Sequence, residues 1–128
     1  MIILQFDNSS EKPIFIQFAE MLENNILKGI FEEESQIPST TEVAVKFKIN
    51  PATANRGVNM LVEDGIIYKK RGVGMFVSKG AREKILNKRK NIFYESYILP
   101  LIEESKNLNI TKSEIIIMIE RGILNEHN

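Results

Sequence analysis

The chain has 128 residues, 43% of them hydrophobic and 27% charged, with no cysteine and a single histidine. That length holds one ordinary domain, or one compact domain plus a small appendage, and the balance is that of a globular chain rather than a disordered one. The missing cysteines exclude disulfides, thiolate metal sites and cysteine nucleophiles. No segment reaches the roughly 20 apolar residues that span a bilayer. Residues 1–7 offer neither a basic stretch nor an apolar run of signal-peptide length, so no membrane partner is expected and the expected location is the cytoplasm.

The formal net charge is zero, but the average hides a split. Residues 1–37 hold two basic and seven acidic side chains, a balance of −5; residues 38–80 hold seven and three, +4; residues 81–128 hold eight and seven, +1. Positive potential is therefore concentrated in the middle of the chain, and a local patch rather than a high overall charge is what an anionic partner requires.

Taken in chain order, residues 2–6 alternate weakly, as a short strand does. Pro13 suits the first turn of a helix, and Ile14, Phe18, Met21, Leu22 and Ile26 follow at helical spacing, with Phe15 and Ala19 widening the stripe. Gly29 is placed to end that helix in a left-handed conformation. An acidic loop, Glu32-Glu33-Glu34, leads to Ile37-Pro38. Ser39-Thr40-Thr41-Glu42 reads as a capping box, in which the Ser39 hydroxyl accepts from the N–H of Glu42 and the Glu42 carboxylate reaches back to the N–H of Ser39. The short helix behind it buries Val43, Ala44 and Phe47 and stops near Lys48, because Asn50 and Pro51 form a second start signal as N-cap and first helical residue. The next helix buries Ala54, Val58, Leu61 and Val62 and ends at Gly65. Two short helices joined by a tight turn are the helix-turn-helix pattern.

Residues 66–70 and 75–77 are strand-like and enclose Arg71-Gly72-Val73-Gly74, whose glycines allow the positive φ of a hairpin tip. The predicted fold class is mainly α with a small β-wing: a winged helix-turn-helix over residues 1–79, then a short helical tail over residues 80–128. A core around Leu22, Phe47, Leu61 and Phe76 lies wholly before Lys79 in this reading. In the tail, a long helix starts near Ala81, Pro100 interrupts or kinks it, and Thr111-Lys112-Ser113-Glu114 forms a second capping box opening a last helix that Gly122 can end.

Asn50, Ala52, Thr53, Asn55 and Arg56 form a small, polar, partly basic face at the amino end of a helix. Asparagine and arginine match the edges of adenine and guanine, and the helix dipole favours a nearby phosphate. Lys70, Arg71 and Gly72 at the wing suit phosphate or minor-groove contact; strand alternation leaves the individual lysines open, and Arg71 and Gly72 are the firmest choices. The basic residues crowded into 82–90 read as a solvated helix surface, with a supplementary phosphate contact from the first turn as the alternative. An enzyme reading finds little: His127 lies next to the last residue, there is no Ser-His-Asp set or P-loop, and the acidic clusters lack convergent ligands for a metal. No cofactor is expected.

These motifs together resemble the GntR family of transcription regulators, and within it the YtrA-like branch. The resemblance is carried by residues 13–17, by Ile37-Pro38-Ser39 with Glu42, by Asn50-Pro51-Ala52-Thr53 with Arg56, by residues 63–67, and by residues 72–77. It implies a DNA-binding surface that includes Ser39, Thr40 and Thr41 at the start of the first motif helix. Thr41 stands where the family usually carries a DNA-contacting arginine; a threonine can hydrogen-bond a phosphate but cannot make a bidentate contact to guanine. Lys48 stands in the turn where glycine is frequent, so it must take a positive φ or the turn must open. The resemblance also implies repression, with transporter operons as typical targets, and a tail too small for the separate effector domain of larger family members. The sequence names no effector.

Apolar residues stripe the tail at Ile85, Ile92, Phe93, Tyr97, Leu101 and Ile102, then at Ile115, Ile116, Met118 and Ile119. Two helices cannot bury that surface alone, so pairing with a second copy is expected, which matches palindromic operators read by two-fold dimers. The expected function is a dimeric, sequence-specific DNA-binding regulator. The alternative is a winged-helix module for protein interaction without specific DNA binding, which the neutral charge and Thr41 leave open.

Overall fold

The computed structural model describes residues 11–126; the strand expected at residues 2–6 and the histidine at 127 lie outside them. The chain divides into two compact units, residues 1–87 and residues 88–128. In the first unit run α1 (Ile14–Leu27), β1 (Gln36–Ile37), α2 (Thr40–Phe47), α3 (Pro51–Glu63), β2 (Ile67–Lys70), β3 (Gly74–Val77) and the start of α4 (Ala81–Phe93).

The local signals act where the sequence places them. Pro13 is the N-cap of α1, and Gly29, just past its end, takes φ +79°. The Ser39 hydroxyl accepts from the N–H of Glu42 at 3.1 Å as expected, but the Glu42 carboxylate accepts from the Ser39 hydroxyl at 3.3 Å rather than from the Ser39 N–H. Asn50 caps α3 with Pro51 behind it. Lys48 takes the left-handed conformation, φ 54° and ψ 43°, so the turn keeps its shape without the glycine.

The core gathers Phe18, Leu22 and Ile26 of α1, Val58 and Leu61 of α3, and Ile67 and Val77 of the sheet. The crossing of α1 and α3 is set by Gly57. A Cβ there would sit 2.8 Å from the Phe15 carbonyl oxygen and 2.8 Å from a ring carbon of Phe18, so only hydrogen fits.

The sheet has three antiparallel strands in the order β1-β3-β2, one more than the ribbon predicted from sequence. The extra strand is the end of the acidic loop: Ile37 is buried and pairs with Met75, and Gln36 pairs with Phe76. Alternation along β3 points Met75 and Val77 into the core. Phe76 is therefore not a core residue as expected; it is half-buried on the other face and stacks on Tyr68.

The expected core also stopped too early. Ala81 and Ile85 of α4 are fully buried among the first unit's apolar residues. Four hydrogen bonds hold these turns in place. The Glu33 carboxylate accepts from the N–H groups of Gly80 at 2.8 Å and Arg82 at 3.2 Å, the Arg82 guanidinium donates to the Leu27 carbonyl, and the Lys84 ammonium donates to the Gly65 carbonyl at 3.2 Å. Glu33 thereby caps a helix nearly fifty residues away, and those backbone N–H groups hold its carboxyl below the usual carboxylate range.

In the second unit the helix does not break at Pro100. It widens into a π-helical turn over Tyr94–Ile98, with the Leu99 N–H donating to the Tyr94 carbonyl, and continues as α5 (Leu99–Asn107). The extra residue in the turn accommodates a ring that lacks an N–H. Thr111 and Glu114 complete the predicted capping box: the Glu114 N–H donates to the Thr111 hydroxyl at 3.2 Å, and the Thr111 N–H to the Glu114 carboxylate at 3.3 Å. The last helix, α6 (Lys112–Glu126), runs past Gly122 instead of ending there. An exposed glycine inside a helix costs only about 1 kcal/mol relative to alanine, which its neighbours can carry. No helix among the described residues is long and apolar enough to cross a membrane.

Candidate nucleic-acid interface

One stripe of α3 is left outside the core. Ala52, Asn55, Arg56 and Asn59 are exposed at helical spacing, while Ala54, Gly57, Val58 and Leu61 are buried. Thr53 is half-buried beside the stripe. The Asn50 carboxamide oxygen accepts from the N–H of Ala52 at 2.8 Å, so this side chain orders the amino end of the helix. The Arg56 guanidinium lies over the Phe15 ring, 3.9 Å from its centroid. Stacking holds the guanidinium plane in one orientation and leaves its N–H donors free at the edge, the geometry that suits a planar acceptor.

The wing adjoins this stripe. The Lys69 ammonium donates to the Asn59 carboxamide oxygen at 3.1 Å. Lys70 alternates to the other face and lies 5.0 Å over the Phe76 ring, which stacks on Tyr68 with centroids 5.5 Å apart. Arg71, Gly72 and Val73 form the exposed tip, where the Val73 N–H closes onto the Lys70 carbonyl at 3.0 Å and Gly72 has φ +76° with open space around it.

At the start of α2, Ser39 and Thr41 are exposed, whereas Thr40 is half-buried with its hydroxyl 3.6 Å from the Met75 sulfur. The structure thus gathers Asn55 and Arg56 on one helix stripe and Lys70, Arg71 and Gly72 on the wing, and it turns Thr40 inward. It adds Asn59, which sequence reasoning passed over, and gives a partner to Lys69, one of the wing lysines that strand alternation left open. The spacing could have given Asn59, which stands four residues after Asn55; its pairing with Lys69 depends on how the wing folds back.

The residues singled out in the tail lie in the second unit. Ile92, Phe93, Leu101, Ile102, Met118 and Ile119 are exposed and Ile115 is half-buried. A hollow of about 230 Å³ is lined by Leu101, Ser105, Leu108, Ile115, Met118 and Ile119. Ile85, counted with this stripe from sequence, belongs to the core of the first unit.

Two short helices joined by a left-handed turn, an exposed polar stripe on the second, and a cationic β-ribbon beside it define a winged helix-turn-helix DNA-binding protein. Comparison with known proteins agrees. The model of the gntR family of bacterial regulatory proteins matches residues 17–77. A transcriptional regulator of the GntR family from Bacteroides thetaiotaomicron is similar in structure, with a TM-score of 0.78 and 34% identity, over 89% of this chain and 99% of that one. The transcriptional repressor YtrA of Bacillus subtilis is 29% identical over 93 residues, 73% of this chain and 72% of the repressor. The DNA-binding domain of AraR in complex with operator ORX1 matches with a TM-score of 0.53 and 27% identity, over 59% of this chain and 93% of that one. The chain belongs to the GntR family, in its YtrA-like branch, and is a DNA-binding transcription regulator.

Proposed function

We propose that this regulator is a homodimeric repressor that binds a palindromic operator, each copy reading one half-site with the exposed stripe of α3 and the tip of the wing. The observation that carries the reading is the joining of those two surfaces by the Lys69–Asn59 hydrogen bond at 3.1 Å, which makes one continuous polar and cationic face. Asn55 and Arg56 then contact base edges, Arg71 and the Gly72 backbone contact the sugar-phosphate chain, and Ser39 and Thr41 contact phosphate. In the operator complex of AraR, a similar domain is bound to its DNA.

The dimer is supported by the state of the second unit. Ser105 is its one buried residue among those described, while Phe93, Tyr97, Leu101, Ile102, Met118 and Ile119 are each between 39% and 64% exposed. A unit with so much apolar surface and so little interior gains its stability by covering that surface, and a second copy supplies the same surface in return. Repression of a transporter operon is the target that kinship with the YtrA-like branch implies.

Selection of bound DNA from a random pool, run beside sedimentation of the full chain, tests the reading. The expected result is a dimer and a pair of inverted half-sites whose centres are about one helical turn, or a multiple of it, apart. A monomeric chain, or a selected pool without two-fold symmetry, would overturn it.

A further inference from the structure

Gln36 stands on β1, three residues before the N-cap of α2, yet its side chain reaches the wing. Its Nε2 donates to the Val73 carbonyl at 3.0 Å. The path is open because residue 74 is glycine: a Cβ there would lie 2.5 Å from that same Nε2. Gly74 takes φ +142°, a conformation that side-chain-bearing residues rarely adopt, so the position serves both the turn and the crossing amide. At the other end of the link, Ile37 pairs with Met75, Ser39 follows as the cap of α2, and the Thr40 hydroxyl meets the Met75 sulfur at 3.6 Å.

We propose that Gln36 is a positioning residue for DNA recognition: it fixes the tip of the wing against the strand that leads into α2, so that Arg71 and Gly72 meet DNA in a set relation to Ser39 and Thr41. The proposal rests on the DNA-binding reading above for its consequence, but the link itself is a property of the free protein. Gln36 acts through the wing and need not touch DNA. A three-residue tip with open space around Gly72 has many accessible positions, and a hydrogen bond to its last carbonyl selects one before DNA arrives.

Two measurements on the full chain test this. The first is hydrogen exchange, in the absence of DNA, at the Val73 N–H, which donates to the Lys70 carbonyl and so reports opening of the tip that Gln36 holds through the Val73 carbonyl. Gln36→Met keeps the length of the side chain and removes the donor, and exchange should quicken by about two- to tenfold, the range expected for one net hydrogen bond. Gln36→Lys, which brings a donor to the same carbonyl, should restore the protection. Unchanged exchange in Gln36→Met would overturn the proposal. The second measurement is binding to a duplex selected from a random pool, with a random-sequence duplex as comparator. Gln36→Met should weaken binding to the selected duplex about two- to tenfold. In an Arg71→Ala background the same substitution should have a smaller effect, because one of the two residues it positions has lost its side chain. A loss that persists in full beside Arg71→Ala would mean that Gln36 contacts DNA itself, and the positioning role would fall. A wild-type chain that binds both duplexes equally would defeat the DNA-binding reading instead, and exchange at Val73 would still decide whether Gln36 fixes the tip.

Discussion

Ending the chain at Lys79 should strip the winged unit of much of its stability, whereas ending it at Asn87 should leave that unit intact. The eight residues between carry Ala81 and Ile85, both 0% exposed. Truncating a buried isoleucine to alanine typically costs about 2–5 kcal/mol. The shorter chain also loses the N–H groups that the Glu33 carboxylate accepts and the donors on the Leu27 and Gly65 carbonyls. Those groups are solvent-accessible and regain water, so the apolar loss dominates, and the difference between the two chains should be about 3 kcal/mol. Domains of this size have about 5–15 kcal/mol in all. A loss of 3 kcal/mol corresponds to a fall in melting temperature of roughly 10–25 °C. Urea denaturation followed by circular dichroism reads the difference directly, and comparing two chains that both lack α5 and α6 keeps dimerisation out of the comparison. Equal midpoints would refute the argument that the start of α4 belongs to the first unit's core.

Other substitutions probe separate parts of the account. Gly57→Ala should destabilise by about 1–2 kcal/mol, because the clash with α1 exceeds the gain in helix propensity; Gly122→Ala, where a Cβ meets nothing, should instead stabilise by up to about 1 kcal/mol, and equal effects in urea melts would contradict the close crossing. Lys48→Gly should raise stability by about 0.5–1 kcal/mol, since it relieves a left-handed non-glycine residue; no gain would mean that the turn carries no strain. The carboxyl of Glu33 titrates lower in the folded than in the unfolded chain, so its contribution is present above the unfolded pKa of about 4.3 and fades as pH falls through the folded value. The stability gap between wild type and Glu33→Gln should therefore be constant near neutrality and narrow in acid; a gap independent of pH would refute the capping role.

What could be read from the sequence was local. Ser39 with Glu42, Asn50 with Pro51, and Thr111 with Glu114 announce helix starts because cap and partner lie within three residues of each other. Gly29 announces a helix end in the same local way, and Asn50-Pro51 fixes where the helix before it must stop. What was hidden depends on packing between segments far apart in the chain. Glu33 caps α4 across 47 residues, Gln36 reaches Val73 across 37, and nothing near either residue hints at its partner. Ile85 read as part of a tail stripe because its helix continues into the tail, and periodicity does not tell which core an apolar face will meet. Phe76 was misplaced by one step of alternation, which moves a strand residue from one face of the sheet to the other. In the candidate site, the stripe of α3 was legible from its cap and spacing. The stack of Arg56 on Phe15 was not, since it depends on the close crossing at Gly57.

The central claim is that α3 and the wing read DNA sequence, and its most direct test is fluorescence anisotropy of the full chain on a selected duplex and on a random one across 50–200 mM salt, wild type beside Arg56→Ala. Affinity for both duplexes should fall steeply with salt, as phosphate contacts require. At any one salt concentration, wild type should prefer the selected duplex by about a thousandfold or more. Arg56→Ala should lose about 1–3 kcal/mol on the selected duplex and much less on the random one. Equal losses on both would make Arg56 a phosphate anchor rather than a base reader, and a wild-type chain without preference for the selected duplex would contradict the account.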